Sequence, residues 1–468
     1  MVTGRLPTVR ALCWFRRDLR LADNPAWANA TRLGDEVIGL YVLDPGLLDR
    51  VSDRRRDLLL GHLRALDAEL GRHGGALLVT GGDPTTVVPS TVASHGVQHV
   101  TVNGDVGPYA QRRDQAVGTA LDAVPLLVHW GTLVQPPGSV LTAKGTLSRV
   151  FSAFHRAWDR LPHEPWGDAD PAEVLAITGQ PIPEPSAAPA IEPGEGAALD
   201  RLGAWLERVD GYDTDRDRPD RPGTSTLSAD LRFGTVSPRE VLLRVGDHTD
   251  GRAAFCRQLA WRDWYAHTTL ARPDIANAAL RPEYDRIEWR DDPTGFEAWQ
   301  QGRTGYPIVD AGMRELTATG FMHNRVRMIT ASFLVKDLLI DWRRGERHFR
   351  HHLLDGDVAQ NAGNWQWVAG TGPDAAPYFR IFNPITQSER FDPDGAYIRR
   401  WVPELAGLDR KAIHRPDRLG PLELEAAGVT LGDTYPHPIV DHAAARERTL
   451  RAYAAAKDPA RLVSSPNA

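Results

Sequence analysis

Cysteine is scarce in this sequence, because the 468 residues contain only Cys13 and Cys256. Both fall in apolar or helical patterns, so we expect no disulfide framework and a reducing, cytoplasmic environment. Apolar runs of membrane-spanning length are missing, and the opening residues MVTGRLPTVR lack the apolar stretch of a signal peptide. These absences argue against a disulfide-stapled protein and against a membrane protein.

An excess of either charge is also missing. Lys and Arg total 55 against 61 Asp and Glu, which gives a net charge of -6. The total gives no hint of a nucleic-acid partner, although a local basic patch is enough to bind one. Hydrophobic residues make up 42% and charged residues 25%, as in soluble globular proteins. We expect two domains, because one ordinary core does not grow to this length.

Short apolar runs alternate with helical patterns in the first part of the chain. The strand candidates are residues 9–15, 37–43, 76–80, 97–102 and 124–128. The helical pattern of residues 54–73 places leucines on one stripe. This alternation predicts an α/β domain with a doubly wound, Rossmann-like parallel sheet over residues 1–135. No G-x-G-x-x-G follows the first strand, so a standard dinucleotide site is not supported there.

A Pro-rich stretch from about residue 162 to 200 separates this region from a second one without strand patterns. We therefore predict an α/β domain at 1–135, a connector at 136–200 and an all-helical domain at 201–468.

Residues 355–367 are unusually polar for a helical pattern. Asp355 and Asp357 flank a glycine, Asn361 follows, and Trp365 and Trp367 close the stretch. Alone, it would be read as a capped helix start with two core tryptophans. Residues 322–328 and 376–384 are also rich in polar groups among apolar neighbours. Since buried polar groups are rarely left unpaired, this density predicts a polar ligand held among helices.

Two further stretches suit ligand binding. Residues 223–228, Gly-Thr-Ser-Thr-Leu-Ser, could seat a phosphate at a helix start, although an ordinary N-cap is the preferred interpretation of this stretch alone. In residues 255–265, four side chains fall at i, i+3, i+4 and i+7, on one helix face that suits a planar ligand. They are Gln258, Trp261, Arg262 and Tyr265. An amphipathic helix with a snorkelling arginine is the alternative.

Asn324, Arg327 and Met328 share another helix face. A buried carboxylate needs a cationic partner, so we expect an arginine here to pair with Asp355 or Asp357. Several arginines could form a basic surface suited to a phosphate backbone, or simply a solvated helix face. They are Arg325, Arg343, Arg344, Arg347, Arg350 and Arg380.

Together these motifs resemble the photolyase/cryptochrome family, specifically class I cyclobutane pyrimidine dimer photolyases. The resemblance runs from residues 14–21, Trp-Phe-Arg-Arg-Asp-Leu-Arg-Leu, to residues 435–440, Tyr-Pro-His-Pro-Ile-Val. Its most specific segments are residues 304–310, 322–328, 337–342, 355–367 and 378–384. The resemblance implies an α/β domain followed by an all-helical FAD-binding domain, with no metal. It also implies repair of UV-damaged DNA, in which reduced flavin absorbs blue light and donates an electron to a flipped-out pyrimidine dimer.

The resemblance implies roles for individual residues. Those that would bind FAD are Tyr212, Thr224, Ser225, Thr226, Leu227, Ser228, Arg262, Tyr265, Arg327, Asp355, Asp357 and Asn361, with Arg327 paired to Asp355 and Asn361 beside the reactive flavin nitrogen. Trp365, Trp342 and Trp289 would carry electrons from the surface to the flavin. Those that would meet the dimer or the DNA are Arg216, Gln258, Trp261, Asn324, Arg325, Met328, Trp367, Arg380 and Gln387.

The chain departs from the family pattern at two positions, Gln258 and Gly107. Gln258 stands where most cyclobutane dimer photolyases have Glu, and glutamine there is commoner in six-four photolyases and animal cryptochromes. A neutral amide can still donate to and accept from thymine. Asn324 and Met328 stand where six-four photolyases place a histidine pair, which disfavours that activity. Gly107 replaces the glutamate of folate-binding members. Residues 103–109 and 43–45 look more like those of members that bind 8-hydroxy-5-deazaflavin, with Asp105 and Arg55 as candidate contacts. Methenyltetrahydrofolate, or no antenna, is the alternative.

A cryptochrome-type blue-light photoreceptor without repair activity is the main alternative. Cryptochromes usually carry a C-terminal extension, whereas only residues 454–468 follow here, too few to signal alone. The resemblance also implies a monomer.

Overall fold

The structure is a computed structural model that describes residues 8–167, 169–374, 377 and 380–457. Its sheet has parallel strands in the order β3-β2-β1-β4-β5, and β6 pairs with β2. The prediction of a doubly wound parallel sheet is confirmed. The strands are β1 (Arg10–Phe15), β2 (Glu36–Leu43), β3 (Leu77–Gly81), β4 (His99–Asn103), β5 (Leu126–His129) and β6 (Glu173–Val174).

Helices cover the sheet, so the central strands are apolar on both faces. Leu12 and Trp14 of β1 pack in one cluster with Ile38 and Leu40 of β2 and Val100 of β4. Strand order reverses at β1, whose neighbours are β2 and β4. In open α/β sheets such a switch point marks the crevice where ligands bind, at the carboxyl ends of the strands.

The helices as far as residue 271 include the predicted leucine-striped helix, α3. Leu58, Leu63, Leu66 and Leu70 of α3 are buried. The helices are α1 (Pro25–Leu33), α2 (Pro45–Leu48), α3 (Asp53–Arg72), α4 (Pro84–His95), α5 (Pro108–Ala120), α6 (Phe151–Trp158), α7 (Glu195–Leu206), α8 (Tyr212–Asp215), α9 (Ser228–Phe233), α10 (Pro238–Val245) and α11 (Asp250–Ala271).

The remainder of the described chain is helical apart from an isolated bridge between Leu431 and Tyr435. A π-helical turn, Phe333–Asp337, follows α14. The helices are α12 (Pro293–Gln300), α13 (Pro307–Thr319), α14 (Asn324–Ser332), α15 (Trp342–His352), α16 (Val358–Ala369), α17 (Pro384–Phe391), α18 (Ala396–Trp401), α19 (Pro421–Ala426) and α20 (His442–Lys457). In the part of the chain that the structure describes, no helix combines the length and apolarity needed to cross a membrane.

The chain forms two compact units that are not contiguous in sequence. The first comprises Met1–Asp213 and Ser225–Pro273, and the second Thr214–Thr224 and Asp274–Ala468. Helix α11 therefore belongs with the sheet. The stretch predicted as a connector contains α6 and β6. The boundaries 1–135, 136–200 and 201–468 stay a prediction.

Candidate FAD and DNA site

The polar stretch at residues 355–367 is organised around two aspartates in the second unit. Asp357 caps α16 by accepting from the Gln360 N–H at 3.0 Å. Asp355 accepts two bonds from the Arg327 guanidinium, with N–O distances of 3.2 and 2.9 Å. Nε of Arg327 also donates to the Met322 carbonyl at 2.7 Å, which fixes the plane of the guanidinium. The predicted pairing of Arg327 with Asp355 is confirmed.

Asn361, one turn into α16, is held by a residue that the sequence did not single out. Its Nδ2 donates to the backbone oxygen of Glu346 at 2.8 Å and to its Oε1 at 3.0 Å. Burial raises the pKa of Glu346. Both bonds use the amide nitrogen, so the orientation of Asn361 is set by α15. Glu346 is the single acidic residue of α15, and this is the sequence signal that could have identified it.

The three tryptophans predicted to carry electrons lie in or against one apolar cluster of the second unit. Trp342 and Trp365 are buried in it, and Trp289 is partly buried against it. Trp365 packs edge-on to Trp299, with 6.2 Å between centroids. Trp289 packs edge-on to Tyr453, also at 6.2 Å. Sequence reasoning missed Trp299 and Tyr453, because an isolated aromatic residue in a helical pattern usually indicates core packing.

The predicted dimer-pocket residues of α14 contact each other. Nδ2 of Asn324 lies 3.8 Å from Sδ of Met328, as their spacing on one helix face requires. Asn324 is exposed and Met328 is partly buried. Trp367 on α16 is partly buried against the same apolar cluster.

Arg325 is the predicted DNA contact whose surroundings are clearest. Its Nε and Nη2 donate to Oδ1 of Asp217 at 3.2 and 2.7 Å. Its guanidinium also lies 4.3 Å from the ring centroid of Phe391. Arg216, another predicted contact, precedes Asp217 in the chain, and Asp217 itself was missed.

The remaining predicted DNA contacts lie near residue 380. Arg380 is exposed, and Gln387 is partly buried on α17. Residues 376, 378 and 379 of the predicted segments 376–384 and 378–384 lie outside the described residues. Of the arginines proposed for a basic surface, Arg343 is paired with Asp285 and Arg350 lies 3.4 Å from Glu346.

In the first unit, the predicted face of α11 is present. Trp261 and Tyr265 pack with 5.6 Å between centroids, and Tyr265 is buried. Nη2 of Arg262 donates to the Leu231 carbonyl at 3.0 Å. Nε2 of Gln258 donates to the Ala254 carbonyl at 3.0 Å, within its own helix.

The predicted phosphate segment forms a strained turn before α9. Thr226 has φ of 57°, a left-handed conformation unusual for a β-branched residue. Ser225 Oγ accepts from the Leu227 N–H at 3.3 Å. Leu227, whose side chain cannot cap, occupies the N-cap position of α9. The preferred N-cap interpretation is therefore wrong, because the serine hydroxyl is used inside the turn.

Tyr212, Thr224 and Ser228 flank this turn. Tyr212 packs edge-on against Trp205 and Phe255 of the first unit, with centroids 5.7 and 5.3 Å away. Thr224 is partly buried and Ser228 is exposed. The predicted FAD residues are thus divided between the two units, with Thr224, Arg327, Asp355, Asp357 and Asn361 in the second.

The predicted antenna residues lie in the first unit. Asp105 follows β4 and pairs with Arg17, which follows β1, at 3.1 Å. Burial opposes ionisation of Asp105, but Arg17 and the Gly107 N–H hold its pKa well below the usual value. Asp44, after β2, accepts from the Tyr109 hydroxyl. Arg55 is buried in the first turn of α3. Charged groups therefore gather at the carboxyl ends of the strands beside the switch point.

Comparison with known proteins identifies the family. Residues 11–174 match the model described as DNA photolyase, and residues 255–455 match that of the FAD binding domain of DNA photolyase. The deoxyribodipyrimidine photo-lyase of Agrobacterium fabrum is 40% identical over 97% of this chain and 99% of its own length. The Escherichia coli enzyme of that name is 41% identical over 95% and 98%. The chain belongs to the DNA photolyase family.

Solved structures of this family share the fold over the full chain. A bacterial class III photolyase from Agrobacterium tumefaciens matches with a TM-score of 0.90 and 40% identity, covering 97% of this chain and 99% of that one. A Synechocystis cryptochrome matches with a TM-score of 0.87 and 30% identity, covering 96% and 100%. Membership of class I stays a prediction, since one of these photolyases is described as class III.

Proposed function

We propose that this protein is a deoxyribodipyrimidine photo-lyase that uses blue light and FAD to split cyclobutane pyrimidine dimers in UV-damaged DNA. The observation that carries the proposal is full-length similarity to proteins of that name, at 40% identity over 97% of the chain. Two carbon–carbon bonds of the cyclobutane ring break. The transferred electron returns afterwards, so the reaction has no net redox change.

The polar side chains of the second unit fit FAD. Asp355 and Asp357 are acceptors for ribityl hydroxyls and ring N–H groups, and Arg327 compensates the charge of Asp355. Asn361 is held by Glu346 and can present its carbonyl oxygen beside the reactive ring nitrogen. When bound, reduced FAD supplies the electron that splits the dimer under light. Tyr212, Thr224–Ser228, Arg262 and Tyr265 are proposed to hold the rest of the cofactor.

Trp289, Trp342 and Trp365 are proposed to pass electrons inward when the cofactor is oxidised. Their common apolar cluster supports this role, because buried indoles keep fixed positions and exclude water. Trp289 is the least buried of the three, as the outer end of such a chain must be.

The dimer has to leave the DNA stack before chemistry, as in other enzymes that act on bases. Trp261 and Trp367 are proposed to stack on it, with Asn324 and Met328 lining the pocket. Gln258 would bond the thymine edges, since its amide both donates and accepts. Arg216, Arg325, Arg380 and Gln387 would hold the flanking strand.

A cryptochrome-type photoreceptor is the second candidate. Two observations favour it, the likeness to the Synechocystis cryptochrome and glutamine rather than glutamate at position 258. This candidate predicts flavin photoreduction without repair.

An 8-hydroxy-5-deazaflavin is the antenna that we propose for the strand ends around Asp105 and Arg55. The charged groups there suit an anionic, hydrogen-bonding chromophore. Methenyltetrahydrofolate, or no antenna, remains the alternative, and extraction of the purified protein followed by absorption spectroscopy distinguishes them. We also propose a cytoplasmic monomer.

The deciding experiment uses UV-irradiated oligothymidylate and the chemically reduced protein under blue light, with a six-four substrate in parallel. Restored thymine absorbance on the cyclobutane substrate alone is expected. A Gln258→Glu variant tests whether the amide limits the rate. Photoreducible flavin without repair of either substrate would assign the protein to the photoreceptors.

A further inference from the structure

Trp261, which is proposed to stack on the dimer, is backed by a side chain to which the proposed function assigns no role. Phe151 stacks on the indole with 3.6 Å between ring centroids and an interplanar angle of 11°. Phe151 is 2% exposed, whereas Trp261 is partly exposed. The part of the indole that a base can reach therefore lies away from Phe151, which covers the opposite side.

Phe151 is itself anchored to α11 through the preceding residues. Nε1 of Trp264 donates to the Ser148 carbonyl at 2.9 Å. The Ser148 hydroxyl in turn donates to the Val150 carbonyl at 2.9 Å. Trp264 also packs edge-on against Trp261, with 5.2 Å between centroids and 78° between planes. Trp264 of α11 thus contacts Trp261 and also holds the segment that carries Phe151.

We infer that Phe151 is a positioning residue that fixes the plane of Trp261 and thereby sets the preference for dimer-containing over undamaged DNA. The inference rests on the proposed function. A stacking platform binds more tightly when it is ordered before the ligand arrives, because binding then does not include the entropy cost of ordering the side chain. Undamaged DNA is held through its phosphates, with no base against Trp261. Loss of the backing ring therefore affects one ligand and spares the other.

The test compares Phe151→Leu with Phe154→Leu in the FAD-loaded, reduced protein in the dark. Leucine preserves most of the apolar volume but has no flat face. Phe154 lies one turn along α6, is 1% exposed, and packs on His267 at 5.3 Å, so it is the matched control. Kd is measured for one duplex with and without a single cyclobutane dimer.

We expect F151L to weaken binding of the dimer duplex about 3- to 10-fold, the range of one lost aromatic contact. Binding of the undamaged duplex should stay unchanged, and F154L should keep the wild-type ratio. Under light, F151L should raise KM while kcat is retained, because Phe151 does not touch the dimer. Phe151→Tyr keeps the flat ring and should retain the wild-type preference.

An unchanged Kd ratio in F151L, an equal change in F154L, or loss of the ratio in F151Y would each overturn the inference. In all three cases the wild type still prefers and repairs the dimer, so the proposed function stands. A wild type with neither preference nor repair would reject the proposed function and the inference with it.

Discussion

Arg325 and Arg327 lie two residues apart on α14, yet their carboxylate partners differ in kind. Both oxygens of Asp355 bond Arg327, whereas one oxygen of Asp217 takes both bonds from Arg325. The Asp217 side chain is 35% exposed against 10% for Asp355. Pairs that water reaches contribute little to stability. We therefore expect Asp217 to affect how strongly Arg325 attracts a DNA phosphate more than it affects folding.

We predict that Asp217→Asn tightens binding of undamaged DNA and steepens its salt dependence. Arg325→Ala should weaken binding of damaged and undamaged DNA alike and reduce the slope of log K against log salt by about 0.9. Fluorescence anisotropy at several salt concentrations measures both effects.

The double variant shows whether the two residues act together. If Asp217 acts through Arg325, D217N adds little in the R325A background. An equal gain in affinity in both backgrounds would mean that Asp217 only contributes a general negative charge.

At the residue scale, the sequence predicted what lies on one element and missed most partners brought in from another. Asn324 and Met328 touch because one helix places them four residues apart. Asp217 precedes its partner Arg325 by 108 residues, and no local pattern links them. The pairing of Arg327 with Asp355 was predicted because burial demands a cation for a carboxylate and the resemblance named this one.

Two helices of the second unit approach closely because one residue lacks a side chain. A Cβ on Gly345 of α15 would lie 2.2 Å from the Trp365 ring and 2.5 Å from Leu334. The indole of Trp365 thus occupies the space over Gly345. The geometry of the proposed electron chain therefore depends on the absence of a side chain at Gly345.

We predict that Gly345→Ala destabilises the protein by about 1–3 kcal/mol through overpacking, although alanine favours a helix over glycine by about 1 kcal/mol. Photoreduction of the flavin should slow, as it should in Trp365→Phe, while chemically reduced protein still repairs. Thermal unfolding and photoreduction under continuous blue light measure the two effects.

Gly203→Ala is the matched control for helix propensity. Gly203 lies inside α7, and a Cβ there meets nothing within 4 Å. It should stabilise by up to about 1 kcal/mol and leave photoreduction unchanged. Stabilisation by G345A as well would show that α15 and α16 can move apart.

At the element scale, periodicity located the sheet strands to within a few residues, because buried parallel strands are continuous apolar runs. It missed α6, whose eight residues lie in a stretch that was predicted as connector from its Pro-rich second half. A short helix that packs on another element is stabilised by that packing rather than by its own pattern.

At the scale of the whole molecule, the sequence could not predict which residues belong to which of the two units. Ser225–Pro273 returns to the sheet-containing unit after Thr214–Thr224 has joined the other. Composition changes mark linkers, and no change marks either crossing. A contiguous division was therefore the natural expectation.

Buried neutral histidines occur in both units. Burial lowers the pKa of His62 to about 3, of His323 to about 4 and of His348 to about 3. His62 is the simplest of them, since its Nδ1 accepts from the Gly194 N–H at 3.0 Å and joins α3 to the start of α7. The unfolded chain holds such a residue in water, where its pKa is near 6.5.

We predict that His62 makes the folded protein sensitive to acid. Above pH 6.5 the imidazole is neutral in both the folded and unfolded chains and has no effect. Between pH 6.5 and about 3 the unfolded chain binds a proton that the folded chain does not. The free energy of unfolding therefore decreases as the pH is lowered, by up to about 1.4 kcal/mol per pH unit.

His62→Gln keeps an acceptor for Gly194 and removes this titration. Urea unfolding of both proteins should show the stability difference shifting towards the variant by roughly 2 kcal/mol from pH 7 to pH 5. A constant difference over that range would mean that His62 takes up its proton in the folded protein as readily as in water.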